Sequence, residues 1–297
     1  GTIYRTDTPG SVIKGSGSNR VTLTNKTGAT IRGLAQGLFI DSGSNWTVDN
    51  YGTIWGESTK GLNIKRGDNN KIINRSVGEI KTDGANAILI SGTNSNDGEN
   101  TIIENYGTLS ADYSTIKAAD YSSGTTITNY SGATIKATRT ANEYAAVQID
   151  GDNTTITNKG TISGAGSNHS IEVGTSVISV TGTKIYVDGA PTFTGEVDLN
   201  INAAETTMYL GCSMTQDTTI EIHNHGGELN IENNLCGNDT YTLSTEVLDG
   251  SDSDDGYLIV DEGLEVVSNN ASYRSENVLT KLKGLFSAAN YIDGVEP

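Results

Sequence analysis

Apolar and polar residues alternate along this chain in short bursts, and the bursts recur. "LTNKTGATIRG" at 23–33, "VDNYGTIWG" at 48–56, "IENYGTLSA" at 103–111 and "ITNKGTISG" at 156–164 share one plan. An aliphatic residue is followed two positions later by Asn, then by Gly and another aliphatic. Residues two apart on a strand share a face, so the aliphatic and the Asn point the same way. That face is the interior, because no other position of the motif is so regularly apolar.

Asn25, Asn50, Asn74, Asn105, Asn129 and Asn158 mark the register, with gaps of 25, 24, 31, 24 and 29 residues. Leu23, Val48, Ile72, Ile103, Ile127 and Ile156 precede them by two. The aliphatics that follow, Ile31, Ile54, Ile80, Leu109, Ile135 and Ile162, fall at +6, +4, +6, +4, +6 and +4. These spacings differ by an even number, so the inward parity survives. A third apolar burst appears in "GLFID", "GLNIK", "AILIS" and "AVQID". Three short strands per repeat of about 24 residues predict an all-β, right-handed parallel β-helix, a β-solenoid. The six Asn are expected at one corner of each coil, bonded along the axis as an amide ladder. The Gly beyond each is expected to take a positive φ at the bend.

The regular coils cover 1–170. Strand-like runs such as "SVISVTGTKIYVDG" and "TTIEIHNHGGELNI" continue as less regular coils over 171–270. Within 271–297, "SENVLTKLKGLFSAANY" puts Val278, Leu282, Leu285, Phe286 and Ala289 at helical spacing. A short C-terminal helix is expected there, as a cap or a docking segment.

Composition narrows the partners. Only 34% of the residues are hydrophobic, with 36 Gly and 3 Pro, which suits a narrow continuous core better than a globular one. Thirty-six acids against 19 bases give a net charge of −17, which opposes binding to nucleic acid and to anionic lipid. No apolar run reaches spanning length and no cationic-then-apolar leader opens the chain, so this segment is expected not to insert in a membrane.

The repeats, "ITNYSGATIKA" at 127–137 and "ITNKGTISG" at 156–164 above all, resemble the passenger domains of autotransporters, the type V secreted proteins of Gram-negative bacteria. The resemblance covers roughly residues 10–170. It implies a parallel β-helix at a bacterial cell surface or in the extracellular space. It transfers no catalytic residue, since passengers include adhesins, aggregation factors and enzymes alike.

Candidate chemistry is sparse. Cys212 and Cys236 lie 24 residues apart, one coil, so a disulfide between neighbouring coils is expected, against two stacked thiols. In "EIHNHGG" at 221–227, Glu221, His223 and His225 share the outer face and could hold Zn²⁺ or Cu²⁺. Any further ligand must come from a neighbouring coil; His169 reads as alone in its loop. "DGSDSDDG" at 249–256 places Ser251, Ser253, Asp255 and Glu262 at loop positions of a Ca²⁺ site, against a solvated acidic loop. The residues after the corner Asn form an exterior stripe of Lys26, Tyr51, Arg75, Tyr106, Tyr130 and Lys159. Stacked tyrosines and cations stabilise one another or present a groove to a glycan. The expected function is therefore an extracellular structural or adhesive surface protein that self-associates, as an adhesin, aggregation factor or filament subunit. Its partners are itself or a cell-surface glycan or protein, and it requires no cofactor, with Ca²⁺ as an option. The alternative is a carbohydrate-active lyase or hydrolase, for which no catalytic residue stands out.

Overall fold

The computed structural model describes all residues except 6–9, 94–97, 141–143, 166–168, 176, 200–201, 215–217, 237–238, 244–255 and 262–297. The described chain is all-β and winds into a parallel β-solenoid of about 8 turns, roughly 26 residues apart. Each regular turn contributes one strand to each of three sheets that run along the axis, and the last described turns supply only two of them.

Sheet I holds the strands that follow the corner, from Thr2–Arg5 and Thr30–Gly33 to Thr192–Thr194. Sheet II holds the third burst of each repeat, from Ser11–Ser16 and Gln36–Asp41 to Thr219–Asn224. Sheet III holds the strands that lead into the corner, from Thr22–Asn25 and Thr47–Asn50 to Leu229–Asn233. The two spacings after the corner Asn converge on one register. Ile31, Ile54, Ile80, Leu109, Ile135 and Ile162 are consecutive partners along sheet I.

The core is a column of aliphatic layers. Val48, Ile72, Ile103, Ile127, Ile156 and Ile185 enter it from sheet III, and Leu38, Leu62, Ile88, Ile116 and Val147 from sheet II, all fully buried. Each such side chain contributes about 1.5–3 kcal/mol by leaving water. Ile116–Ala118, within "STIKAAD", supplies the fifth strand of sheet II where the sequence shows no obvious third burst.

Near the N-terminal turns the core is filled by Trp46, whose indole Nε1 donates to Ser18 O at 2.6 Å. The ring lies against Gly15, where a Cβ would stand 2.2 Å from the indole. Only glycine fits there.

The corner glycines divide into two kinds, which corrects the expectation of a positive φ at each. Gly28 and Gly132, in two of the longer corners, do adopt φ of 70° and 79°. Gly52, Gly78, Gly107 and Gly160 have no positive φ. They are glycine because the chain passes too close to the preceding coil: a Cβ at Gly52 would sit 2.2 Å from Ala29 O, and one at Gly107 2.3 Å from Arg75 O.

Parallel coils continue past residue 171 through Lys184–Val187, Val197–Leu199, Thr206–Leu210 and Thr219–Asn224. The coil pattern then changes. Gly256–Asp261 pairs antiparallel with Thr219–Asn224 and with Thr240–Leu243, so sheet II ends in a hairpin-like edge instead of another parallel turn. The expected helix at 271–297 lies outside the described residues. Among the described residues, no helix is long and apolar enough to cross a membrane.

Candidate functional site

The corner asparagines are register partners from Asn25 to Asn158. Each Nδ2 donates to the Oδ1 of the next coil: Asn25 to Asn50 and Asn50 to Asn74 at 2.8 Å, Asn74 to Asn105 and Asn105 to Asn129 at 2.9 Å, Asn129 to Asn158 at 3.0 Å. The same nitrogens reach backbone carbonyls of the next strand of sheet I, such as Thr53 O, Glu79 O and Thr108 O, each at 3.1 Å. The amides thus satisfy backbone groups that the bend removes from the sheet ladders. The column stops at Asn158. Its partner in the next coil is Val187, and its buried Nδ2 has no acceptor.

The stripe after the asparagines lies on the exterior. Its backbone N–H groups bond to the asparagine carbonyls one coil earlier, Tyr51 N to Asn25 O and Tyr130 N to Asn105 O among them. Tyr106 and Tyr130 stack with centroids 4.0 Å apart and planes 9° from parallel. Their mutual hydrogen bond, followed by burial, pushes the Tyr106 hydroxyl up to about 12. The Arg75 guanidinium lies 5.4 Å from the Tyr51 ring and is held by Asp49 through contacts of 2.7 and 3.3 Å. That hydrogen bond raises the Arg75 pKa further. Lys26 is exposed. Lys159 reaches forward to Asp188 at 3.1 Å.

Beyond Lys159 the stripe opens into a groove of about 200 Å³ lined by Thr157, Lys159, Tyr186, Asp188 and Tyr209. Asp188 also accepts from the Ser213 hydroxyl at 2.6 Å and the Ser213 N–H at 3.1 Å. These bonds, Ser213 first, hold its carboxyl below the usual carboxylate range. Tyr186 and Tyr209 stack at 4.4 Å and 8°, a second ring pair that the sequence reading passed over. Both sit between inward aliphatics, in "KIYVD" and "MYLGC", but no corner Asn follows to mark them.

Cys212 and Cys236 form a disulfide with Cα atoms 4.6 Å apart. Both cysteines are exposed, so the bond ties neighbouring coils at the surface and not in the core.

His223 and His225 lie on the outer side of sheet II, with ring centroids 3.9 Å apart. His169, read from the sequence as solitary, belongs with them. Glu196 Oε2 lies 3.3 Å from His223 Nδ1 and 3.4 Å from His169 Nδ1. The second of these contacts lacks the angle of a hydrogen bond. Asp198 stands 3.2 Å from His225 Nε2 through Oδ1 and 3.8 Å from His169 Nε2 through Oδ2. All three histidines of the chain therefore converge on two carboxylates. The neighbouring coil brings Asp198, the strand partner of His223, into a group with His223 and His225 that could hold a metal ion. Glu221, two residues before His223, pairs with Tyr257 on the other side of its strand. Ser251, Ser253, Asp255 and Glu262, the candidate Ca²⁺ residues, lie outside the described residues.

No known family model, curated protein or solved structure matches this chain.

Proposed function

We propose that this chain is an extracellular structural or adhesive β-solenoid, of the kind found in autotransporter passengers at bacterial surfaces, and that copies associate side by side through sheet III. The observation that carries this reading is the outer face of that sheet. One column runs Thr22, Thr47, Lys71, Ile102, Thr126 and Thr155, a row dominated by β-branched residues. Over the coils from Thr22 to Asn158 the charges on this face are matched, Lys71 to Glu104 at 2.7 Å and Asp49 to Arg75 at 2.7 Å. A chain of net charge −17 repels its own copies over most of its surface. A neutralised sheet is where that repulsion is weakest and where packing against a second sheet buries the most area.

The ring stacking supports a structural use of the exterior stripe over a sugar platform. Tyr106 and Tyr130 turn their faces to each other along the axis, as do Tyr186 and Tyr209. Aromatic platforms that stack on a ligand need a free ring face.

Sedimentation velocity over a range of micromolar concentrations tests the proposal. The expected result is species well above the 31.2 kDa monomer, reduced to monomer by Thr126→Glu with Thr155→Glu. A wild-type chain that stays monomeric at every concentration overturns self-association. Assembly that survives the double glutamate change removes sheet III from it.

A further inference from the structure

We infer that His169, Asp198, His223 and His225 form a closed, four-ligand site for Zn²⁺ that clamps three successive coils. The ligand atoms of Asp198, His223 and His225 already lie within 4.8 Å of one another. Ligands at zinc bond lengths of about 2.0–2.1 Å around a tetrahedral ion stand roughly 3.3 Å apart, so these three need to close by only about 1.5 Å to share one ion. His169 supplies the fourth ligand through Nε2, the nitrogen it turns toward the Asp198 carboxylate.

Glu196 has the other half of the task. Its Oε2 lies 3.3 Å from Nδ1 of His223 and 3.4 Å from Nδ1 of His169, the second contact short of hydrogen-bond alignment until the ring turns. A carboxylate that accepts from Nδ1–H fixes the imidazole tautomer with Nε2 free to ligate, the arrangement found behind zinc-bound histidines. Glu196 is thus a positioning residue, outside the set of four.

Charge points the same way. Asp198 is only 3% exposed, and its strand partner on the other side from His223 is Glu172. Like charges placed opposite each other on a ladder repel, and a buried carboxylate requires compensation. A dication within reach of Asp198 offsets the repulsion from Glu172. Three imidazole nitrogens select a borderline ion such as Zn²⁺ over Ca²⁺ or Mg²⁺, which take oxygen ligands.

The location gives the site a purpose. His169 precedes the strand Ile171–Val173, Glu196 and Asp198 belong to the next coil around Val197–Leu199, and His223 and His225 to the one after, around Thr219–Asn224. The first of these coils carries Asn158, the last amide of the column, and the next two carry no corner Asn to tie one turn to the next.

The test uses the intact 297-residue chain, stripped with EDTA, exchanged into buffer and titrated with ZnCl₂ by calorimetry. Bound metal is counted after gel filtration. The expected result is saturation at one ion per chain, with no heat from CaCl₂ at the same concentrations. Glu196→Gln should keep the stoichiometry and weaken affinity about 10–100-fold. His223→Ala with His225→Ala should abolish saturable uptake while the far-ultraviolet circular dichroism stays that of the parent. Co²⁺ loaded into the unmodified chain gives a second readout that needs no variant. A four-coordinate site produces intense visible absorption that Zn²⁺ then erases. Absence of saturable Zn²⁺ uptake, uptake equal in the double variant, or the weak spectrum of six-coordinate Co²⁺ would each overturn the inference.

Discussion

Asn50 shows how much one corner amide does. Its Nδ2 reaches Asn74 Oδ1, Glu79 O and Gly52 O, while its Oδ1 accepts from Asn25 Nδ2 and, at 3.3 Å, from Gly52 N. Asn105 is bonded in the same way on both sides, whereas Asn158 Oδ1 accepts from Asn129 and, at 3.2 Å, from Gly160 N, and its Nδ2 donates to nothing in the next coil. Each buried polar group left without its partner costs about 1–3 kcal/mol. Asn105→Leu should therefore lower unfolding stability markedly more than Asn158→Leu, although side chain and burial are matched. Urea unfolding of the two variants decides this, and an equal or larger loss at Asn158 would sink the account. Tyr106 offers a second test at this scale. Its hydroxyl is raised from 10.0 to about 12 by the bond to Tyr130, so the neutral form is favoured in the fold. The stability contributed is full below pH 10.0 and is lost as pH rises through about 12. Ultraviolet difference titration should show a late group of phenols that includes Tyr106, Tyr186 and Tyr241, and Tyr130→Phe should bring Tyr106 alone back toward the ordinary value.

Among the elements, the strands that lead into and out of the Asn corners were legible in the sequence because parity survives insertion. A corner lengthened by two residues still returns Ile31 and Ile54 to one register. The reason for the corner glycines was not legible, since the close approach of Gly52 to Ala29 O exists only once coils stack. The histidine cluster was half legible. His223 and His225 lie two residues apart, but Glu196 and Asp198 sit on a coil that carries no Asn mark, and His169 lies in a loop well past Asn158, so nothing in the chain aligned them. Those later coils depend on other ties, and the Cys212–Cys236 bond is one, closing a loop of 24 residues. A loop of that size constrains the unfolded chain by about 3 kcal/mol in the chain-entropy picture. Stability in a solenoid is a sum over neighbouring coils, so a local tie acts locally. Reduction should speed hydrogen exchange in the strands Lys184–Val187, Thr206–Leu210 and Leu229–Asn233 and leave Thr47–Asn50 through Thr126–Asn129 protected. Uniform acceleration along the whole chain would contradict that picture.

At the scale of the molecule, the net charge of −17 opposes association, and matched charges on sheet III permit it. Salt weakens the first and has little ion pairing across the interface to remove. Raising NaCl from low to physiological ionic strength should accordingly strengthen self-association in sedimentation runs; weakening with salt would mean that copies meet through opposite charges instead. The amide column also has a consequence for the whole rod. Every Nδ2 points from its own coil to the next, from Asn25 to Asn158. Each amide carries a dipole of about 3.5 D, as a peptide unit does, and the column adds these head to tail. Turning one amide over would set nitrogen against nitrogen on one side and oxygen against oxygen on the other. The column therefore behaves as a single oriented unit, with its positive pole at Asn158. That pole faces Val187, an aliphatic side chain with no acceptor to offer, so the orientation of the column ends where the asparagines do and is not handed on to the later coils.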